Sequence, residues 1–422
     1  MRMGTSERKK IAFLTLGCKL NYAETSTYER GFIEAGLEVV PWNEKADIYL
    51  VNTCSVTATS DAKSRNLIRK VHRVNPEAAL IVTGCSAQLR RNEIEAIPGV
   101  TRVFGCDEKS LVVPCTLEAA GLGCAVSAPA EEVFAAWSSG ERTRSFLKVQ
   151  DGCDNYCKYC TVPYARGASR NIPIAECLAN ARRIAALGVK EVVLTGVNTG
   201  DFGKTTGESF LDLIRRLNEV DGIERWRISS IEPNLLTEEI VDWIASGTKF
   251  QPHFHIPLQT GTDELLRSMG RHYDTSRFAA LLKYIRNAME APGKPKVFFG
   301  IDVMVGLPGE TEELFRRSYA FLEEIAPAFI HVFPYSRRPG TPAADMPGQQ
   351  PESVKKERVE ALEELCGRLH SQFLEANRGI REKVLFESTD RNGFMEGYTG
   401  NYIRIRRPWD ASLCGKLTEV II

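Results

Sequence analysis

Apolar runs and helical patterns alternate through the first third of the chain. Ile11 to Leu16 is followed by an amphipathic stretch from Tyr22 to Glu34, Ile48 to Val51 by Ala62 to Val74, and Ala79 to Val82 by Asn92 to Ile97. Short strands alternating with helices predict βαβ units around an open parallel sheet. A second series follows, with strands at Phe146 to Val149, Val192 to Thr195, Trp226 to Ser229, Phe254 to Leu258, Phe298 to Val305 and Phe329 to Phe333. Helical patterns separate them at Ile174 to Leu187, Phe210 to Val220, Leu235 to Ala245, Thr275 to Met289 and Glu310 to Ile325. Six β/α units are too few to close an eight-stranded barrel, so a partial (β/α)6 barrel is expected, with its site at the strands' carboxyl ends. A charged helix from Glu352 to about Asn377 leads to Lys383 to Glu387, Phe394 to Gly397, Tyr402 to Ile405 and Leu417 to Ile421, punctuated by Asn392-Gly393 and Gly400-Asn401. These short runs predict a small β-barrel. With a linker from about Pro129 to Arg144, the chain reads as α/β with domains at 1–130, 140–376 and 377–422.

Composition narrows the class. A chain of 422 residues, 43% of them hydrophobic, has room for two to three ordinary cores. The charged N-terminus runs into the strand at Ile11 without a long apolar leader, and no stretch reaches membrane-spanning length, so a soluble cytoplasmic protein is expected. Twelve cysteines in such a chain point to reduced thiols serving metal clusters, not to a disulfide framework. Lys and Arg balance Asp and Glu at 54 each, so any nucleic-acid contact has to come from local patches.

The most specific chemistry lies in Asp151-Gly152-Cys153-Asp154-Asn155-Tyr156-Cys157-Lys158-Tyr159-Cys160. Three thiolates on a short loop can hold three corners of a [4Fe-4S] cube, and no fourth cysteine lies nearby to close it. The open iron can chelate the amino and carboxylate groups of S-adenosylmethionine, and one-electron reduction then yields a 5'-deoxyadenosyl radical. A zinc knuckle would want a fourth ligand close by, and a disulfide would leave one thiol spare. The spacing, with Tyr159 before the last cysteine, resembles the radical S-adenosylmethionine superfamily. In the first domain Leu16-Gly17-Cys18, Asn52-Thr53-Cys54 and Thr83-Gly84-Cys85 each place a cysteine just past a strand's carboxyl end, the edge where open α/β sheets bind ligands. One such cysteine is most simply a small apolar residue, whereas three in the same topological position point to a second three-cysteine cluster. Cys106, Cys115, Cys124, Cys177, Cys366 and Cys414 share no such context and read as structural or incidental.

The domain order and these cysteines resemble the methylthiotransferase branch of that superfamily over nearly the whole chain. Thr15-Leu16-Gly17-Cys18-Lys19-Leu20-Asn21 and the segment from Gly152 through Pro163-Tyr164-Ala165-Arg166-Gly167 are most similar to the enzymes acting on N6-threonylcarbamoyladenosine in tRNA. Thr195-Gly196-Val197-Asn198, Pro257-Leu258-Gln259-Thr260-Gly261 and Asp302 with Val305-Gly306-Leu307-Pro308-Gly309-Glu310 match as well, while Asn171 stands where the family commonly has Ser. The terminal segment resembles the family's RNA-binding TRAM domain. The resemblance implies two clusters, two molecules of S-adenosylmethionine, and methylthiolation of adenine C2 at position 37, beside the anticodon. The inert C–H bond explains the need for a radical. It implies the tRNA anticodon stem-loop and a flavodoxin- or ferredoxin-like electron donor as partners, and a monomer. Methylthiolation of isopentenyladenosine is the alternative within the class. A non-catalytic two-cluster electron carrier or RNA-binding protein is the alternative outside it, although carriers usually close their clusters with four cysteines.

Gly196 and Asn198 suit the methionine moiety of the cofactor, Ser229, Ser230 and Glu232 suit ribose hydroxyls, and Gln259 and Tyr159 complete the candidate cofactor site; each is equally an ordinary strand-end hydrogen-bonding residue. Two basic patches are candidates for RNA. From Ala62 to Asn75 there are five Lys or Arg and no acid, with Arg65, Arg69 and Arg73 on one helical stripe. From Arg378 to Ile422 the balance is 8 basic to 6 acidic residues, and Arg404, Arg406 and Arg407 stand beside Tyr398 and Tyr402, a mixture suited to phosphate contact and base stacking. Solvated surface is the plain alternative for both.

Overall fold

The computed structural model describes residues 8–122, 133–139 and 143–422; Cys124 and part of the expected linker lie outside them. The chain divides into two compact units. The first comprises Met1–Ser138, Asp151–Asp154 and Cys160–Ala168, and the second comprises Ser139–Gln150, Asn155–Tyr159 and Ser169–Ile422. The three-cysteine loop is therefore shared: Cys153 and Cys160 belong to the first unit and Cys157 to the second.

In the first unit, β1 (Lys10–Thr15), β2 (Glu38–Val39), β3 (Ile48–Thr53), β4 (Ala79–Gly84) and β5 (Val100–Val103) form a parallel sheet in the order β2-β1-β3-β4-β5. Period-two alternation splits its apolar side chains between two cores. Leu14, Val51 and Val82 face Ile68 and Val71 of the helix Ala58–Val74, while Ile11, Ile48 and Leu50 face Tyr28 and Phe32 of the helix Lys19–Glu34. The sequence pattern misses β2 and β5, short edge strands, and the helix Val112–Ala119, which completes the second core through Val112 and Leu117.

The second unit holds β6 (Arg144–Lys148), the two-residue strands β7 (Gln150–Asp151, its last residue in the first unit) and β8 (Arg170–Asn171), and then β9 (Glu191–Thr195), β10 (Arg225–Ile228), β11 (His253–His255), β12 (Phe298–Val305) and β13 (Phe329–Pro334). Parallel pairing joins β6-β9-β10 and β11-β12-β13, and single bridges Trp226↔Phe250 and Ser230↔His255 carry the sheet from β10 to β11. Among the described residues no pairing closes β13 onto β6, so the barrel is the expected open one of six strands. The terminal β14 (Arg381–Phe386), β15 (Phe394–Tyr398), β16 (Arg404–Pro408) and β17 (Leu417–Ile421) form an antiparallel sheet in the order β16-β15-β14-β17. It curls around Val384, Phe386 and Met395, with Ile405 and Val420 from its two edge strands closing over the same core.

The foot of the partial barrel is ionic. Glu191 is fully buried and accepts from Arg227 Nε at 2.7 Å, with Arg225 Nη1 at 3.5 Å and Arg144 Nε at 3.9 Å. The excess cations find oxygens in the terminal sheet: Arg227 donates to the carbonyls of Gly400 at 2.7 Å and Thr399 at 2.8 Å, and Arg144 to the Tyr402 hydroxyl at 2.8 Å. Tyr402 lies between the Arg227 guanidinium, 4.8 Å from its ring, and His253, 4.7 Å away. Burial pushes the Glu191 carboxyl up, but Arg227, Arg144 and Arg225 outweigh it and hold the pKa below the usual carboxylate range. A lowered folded-state pKa contributes stability above the unfolded value of about 4.3, and that stability is lost as pH falls through the folded value. Glu191→Gln is therefore expected to destabilise the protein by about 3–5 kcal/mol at neutral pH and to lose that margin in acid, as read by denaturant titrations at pH 7 and below pH 4.

Candidate cluster and cofactor sites

Side chains sew three strand ends of the first unit together. Asn21 Nδ2 donates to the carbonyls of Leu16 at 2.8 Å and Thr53 at 2.9 Å, and Thr53 Oγ1 donates to the Thr83 carbonyl at 2.7 Å. Gly17 (φ +103°) and Gly84 (φ +101°) stand where L side chains are strained. A Cβ on Gly17 would come within 2.9 Å of Cys54 Sγ, and one on Gly84 within 2.7 Å of the Thr53 amide nitrogen. The backbone thus brings Cys18, Cys54 and Cys85 within range of one another's charge.

A buried ionic clamp lies against them. Arg166 Nε donates to Cys85 Sγ at 3.2 Å, Nη1 to Asp151 at 2.9 Å and Glu24 at 3.2 Å, and Nη2 to Asn21 Oδ1 at 2.6 Å. Lys109 Nζ reaches Glu24 at 2.7 Å and Asp151 at 3.3 Å, so two cations meet two carboxylates out of contact with water. The thiols respond differently: burial pushes Cys54 up to about 11, and neighbouring protein atoms raise Cys18 although its residue stays exposed, whereas Cys85 is lowered to about 6 by the Cys106 thiol beside it and by the charges of Arg166 and Lys109. Cys85 is thus the readiest thiolate, the form that binds metal. Cys106, which shares no spacing with the cluster cysteines in sequence, stands beside them in the fold: its backbone amide donates to Gln88 Oε1 at 2.8 Å, and its side chain packs on Cys85. Cys177 and Cys366 are buried in the second unit, where Cys366 Sγ accepts from the Ile330 amide at 3.2 Å; Cys115 and Cys414 are half-buried, and all four fit structural roles.

Within the first unit, the Cys153 amide donates to the Gly167 carbonyl at 3.1 Å and the Val162 amide to Cys160 Sγ at 3.4 Å. In the second, Arg271 Nη1 donates to Cys157 Sγ at 3.0 Å and to the Tyr159 hydroxyl at 3.4 Å, and the same guanidinium pairs with Glu232. Tyr159 packs against Met269, Leu307, Tyr335 and Ala343. Gln150 Oε1 accepts from the amides of Val197 and Asn198, both at 2.9 Å, holding the loop after β9; a Cβ on Gly196 would come 2.9 Å from that oxygen. Asn198 Oδ1 accepts from the Glu232 amide at 3.3 Å, but Asn198 Nδ2 and Ser229 Oγ are buried without a partner among the described residues. Orphaned polar atoms at strand ends fit a polar ligand such as the amino-acid and ribose groups of S-adenosylmethionine. Ser230 gives its carbonyl to Thr199, and Gln259 is held at φ +76° between Asp302 and Met304.

The two basic patches fare differently. Arg69 and Arg73 are exposed and Arg65 half-buried on the helix Ala58–Val74, as the periodicity requires. On β16 the period of two separates the three arginines: Arg404 and Arg406 are exposed, whereas Arg407 turns to the core side, 5.6 Å from the Phe386 ring. Tyr398 and Tyr402 stack on each other at 4.9 Å and against Arg144, so they do not offer free faces for bases. The sequence reading missed Arg166, Lys109, Gln150 and Arg271, although Arg166 lies in one of the matched segments.

The strand-end cysteines, the three-cysteine loop and the open six-stranded barrel together define a radical S-adenosylmethionine enzyme. A family model for the radical SAM superfamily matches residues 147–322, and one described as uncharacterized protein family UPF0004 matches residues 10–105. The chain is 37% identical to the threonylcarbamoyladenosine tRNA methylthiotransferase MtaB of Bacillus subtilis, over 98% of this chain and 93% of the relative. It is 36% identical to the protein of that name from Aquifex aeolicus, over 98% and 100%, and 31% identical to the tRNA-2-methylthio-N(6)-dimethylallyladenosine synthase of Nitratidesulfovibrio vulgaris strain DP4, over 97% and 94%. The solved radical SAM methyltransferase TsrM of Kitasatospora setae shares the fold, with a TM-score of 0.58 and 15% identity over 80% of this chain and 75% of that one. The chain belongs to the radical SAM tRNA methylthiotransferase family, whose cofactors are iron-sulfur clusters and S-adenosylmethionine. No helix among the described residues is long and apolar enough to cross a membrane.

Removing the guanidinium that lies between Glu24 and Asp151 leaves buried carboxylates poorly compensated. Arg166→Met is therefore expected to destabilise the first unit by about 3–5 kcal/mol and to lower iron retention after anaerobic reconstitution, with melting curves and iron analysis as the measurements.

Proposed function

We propose that the chain adds a methylthio group to C2 of N6-threonylcarbamoyladenosine at position 37 of tRNA, with one [4Fe-4S] cluster on Cys18, Cys54 and Cys85, another on Cys153, Cys157 and Cys160, and two molecules of S-adenosylmethionine. The observation that carries this reading is the gathering of Cys18, Cys54 and Cys85 at one sheet edge beside Arg166, in a chain that also has the three-cysteine loop. The threonylcarbamoyl substrate is supported by identities of 32–37% to four MtaB proteins, three of them at 36–37%, against 31% to the dimethylallyladenosine synthases.

When bound, the loop cluster and S-adenosylmethionine supply the radical that activates an adenine C–H bond, and the other cluster supplies the sulfur. The residues divide the remaining tasks. Asn198 Nδ2 and Ser229 Oγ, buried without partners, bind polar groups of S-adenosylmethionine, and Gln150 fixes the loop that carries Asn198. Arg271 orients Tyr159 and Glu232 around Cys157. Arg65, Arg69 and Arg73, with Arg404 and Arg406, grip RNA phosphates. A flavodoxin- or ferredoxin-like protein delivers electrons, and the enzyme works as a cytoplasmic monomer.

The reconstituted protein should hold about eight irons, and a Cys153/Cys157/Cys160→Ala variant about four, as two three-cysteine sites require. Nucleoside mass spectrometry of tRNA from a strain lacking the protein should show threonylcarbamoyladenosine without its methylthio group; loss from dimethylallyladenosine instead would move the enzyme to the sibling group. Replacing Arg65, Arg69 and Arg73 with Ala should weaken tRNA binding and lower the log-log salt slope by somewhat under ~1 per lost phosphate contact, measured by titration at several salt concentrations.

A further inference from the structure

Three side chains of the second unit meet at a place that the scheme above gives neither to iron nor to S-adenosylmethionine. His255 Nε2 lies 2.8 Å from Asp302 Oδ1, and one ligand atom each from His255, Asp302 and His331 fall within 4.8 Å of one another. Strand register brings them together: His255 on β11 is level with Gly300 on β12, and Asp302, two residues on, is level with His331 on β13. Alternation puts Gly300 and Asp302 on one face of the sheet, and the residues level with them on the neighbouring strands share it. Gly300 has no side chain to stand between His255 and Asp302.

Two imidazoles and a carboxylate are a donor set that divalent transition ions take, and three protein ligands leave a coordination position open. The charge on the site points the same way. Among the described residues the one ion-pair contact of Asp302 is His255, and no Lys or Arg pairs with it. Charged groups withdrawn from water are paired or coordinate metals, and this half-buried carboxylate faces imidazoles with no permanent cation beside it. The geometry is near what a metal needs. Ligand atoms around a tetrahedral zinc with bonds of about 2.0–2.1 Å lie about 3.3 Å apart, a separation that His255 and Asp302 almost have. The third ligand has room to close the remainder, because His331 is exposed on the edge strand β13, its ring 5.3 Å from that of His255 and edge-on to it. The contact between His255 and Asp302 does not bar a metal: the proton held between Nε2 and Oδ1 passes to solvent, and both atoms bind the ion in its place.

We propose that His255, Asp302 and His331 bind one divalent transition-metal ion of the zinc class, through His255 Nε2, an Asp302 carboxylate oxygen and a ring nitrogen of His331. The remaining position is left to water or to an oxygen or nitrogen donor of a bound molecule. This site is separate from the two sets of cysteines, which offer thiolates to iron, and it does not depend on which adenosine the enzyme modifies. Nitrogen and oxygen ligands without sulfur are its signature.

The test uses the full chain, reconstituted anaerobically with iron and sulfide so that the cysteines are occupied, and freed of unbound metal. Zinc chloride is titrated by equilibrium dialysis with iron measured in the same samples, and zinc K-edge X-ray absorption reads the ligands. The wild type is expected to take about one zinc per chain with micromolar or tighter affinity, in a shell of nitrogen and oxygen with the outer scattering of imidazole and no sulfur. His331→Ala and Asp302→Asn should each weaken binding by at least about 10-fold at unchanged iron content, since even changes outside the ligand shell cost metal sites that much. Acidification through the ordinary histidine range, near pH 6.5, should weaken it too, because protons compete for the imidazoles. His331 is exposed, so its replacement should leave the fold intact. Absence of zinc binding by the wild type, sulfur in the zinc shell, or unchanged affinity in both variants would overturn the site and leave His255 and Asp302 as a hydrogen-bonded pair. A loss of zinc that merely follows a loss of iron would overturn it as well.

Discussion

The guanidinium of Arg166 is the contact on which the candidate cluster site at Cys18, Cys54 and Cys85 depends. It comes from the segment just after the three-cysteine loop, yet it belongs to the first unit and meets Cys85, Glu24, Asp151 and Asn21 at once. Asn21 is also the residue that binds the ends of β1 and β3 through its amide, so a single cation ties strand-end geometry to thiol chemistry. Buried charge of this kind contributes little net stability compared with an apolar core, but it is costly to disturb. That asymmetry suits a candidate cluster site whose three cysteines have to stay aligned.

Arg271 plays the corresponding part in the second unit, with Cys157, Tyr159, Tyr273 and Glu232 around it. In both units an arginine donates to a cysteine sulfur and is anchored by a carboxylate. Guanidinium suits this task because its donors diverge in a fixed plane and its charge cannot be titrated away. An ammonium could neutralise the same charges without fixing the direction of each contact.

Much of the architecture was legible because long-period patterns are robust. The six strands of the partial barrel and three of the five in the first sheet declared themselves through apolar runs, and the three strand-end cysteines through their shared position after them. What escaped notice depends on contacts between residues distant in sequence. Cys106 carries no spacing signal, since only the return of the chain after β5 lays it on Cys85. Gln150 is an unremarkable polar residue in sequence until its side chain is seen to accept two loop amides. Edge strands such as β2, with two residues, are too short to show any period.

The terminal sheet shows how a residue type can be read correctly and its use misjudged. Tyrosines beside arginines on a small sheet suit base stacking, but here Tyr402 fills the foot of the barrel between Arg227 and His253, and the carbonyls of Thr399 and Gly400 satisfy the cations that Glu191 cannot. The sheet therefore completes the electrostatics of the barrel before it does anything for RNA. Of the three arginines singled out on β16, Arg404 and Arg406 stay exposed, the first 3.6 Å from Glu396 and the second 4.0 Å from the Phe394 ring. Phosphate contacts position an RNA without reading its sequence, so even where such cations meet RNA, recognition of the target nucleoside is a separate task.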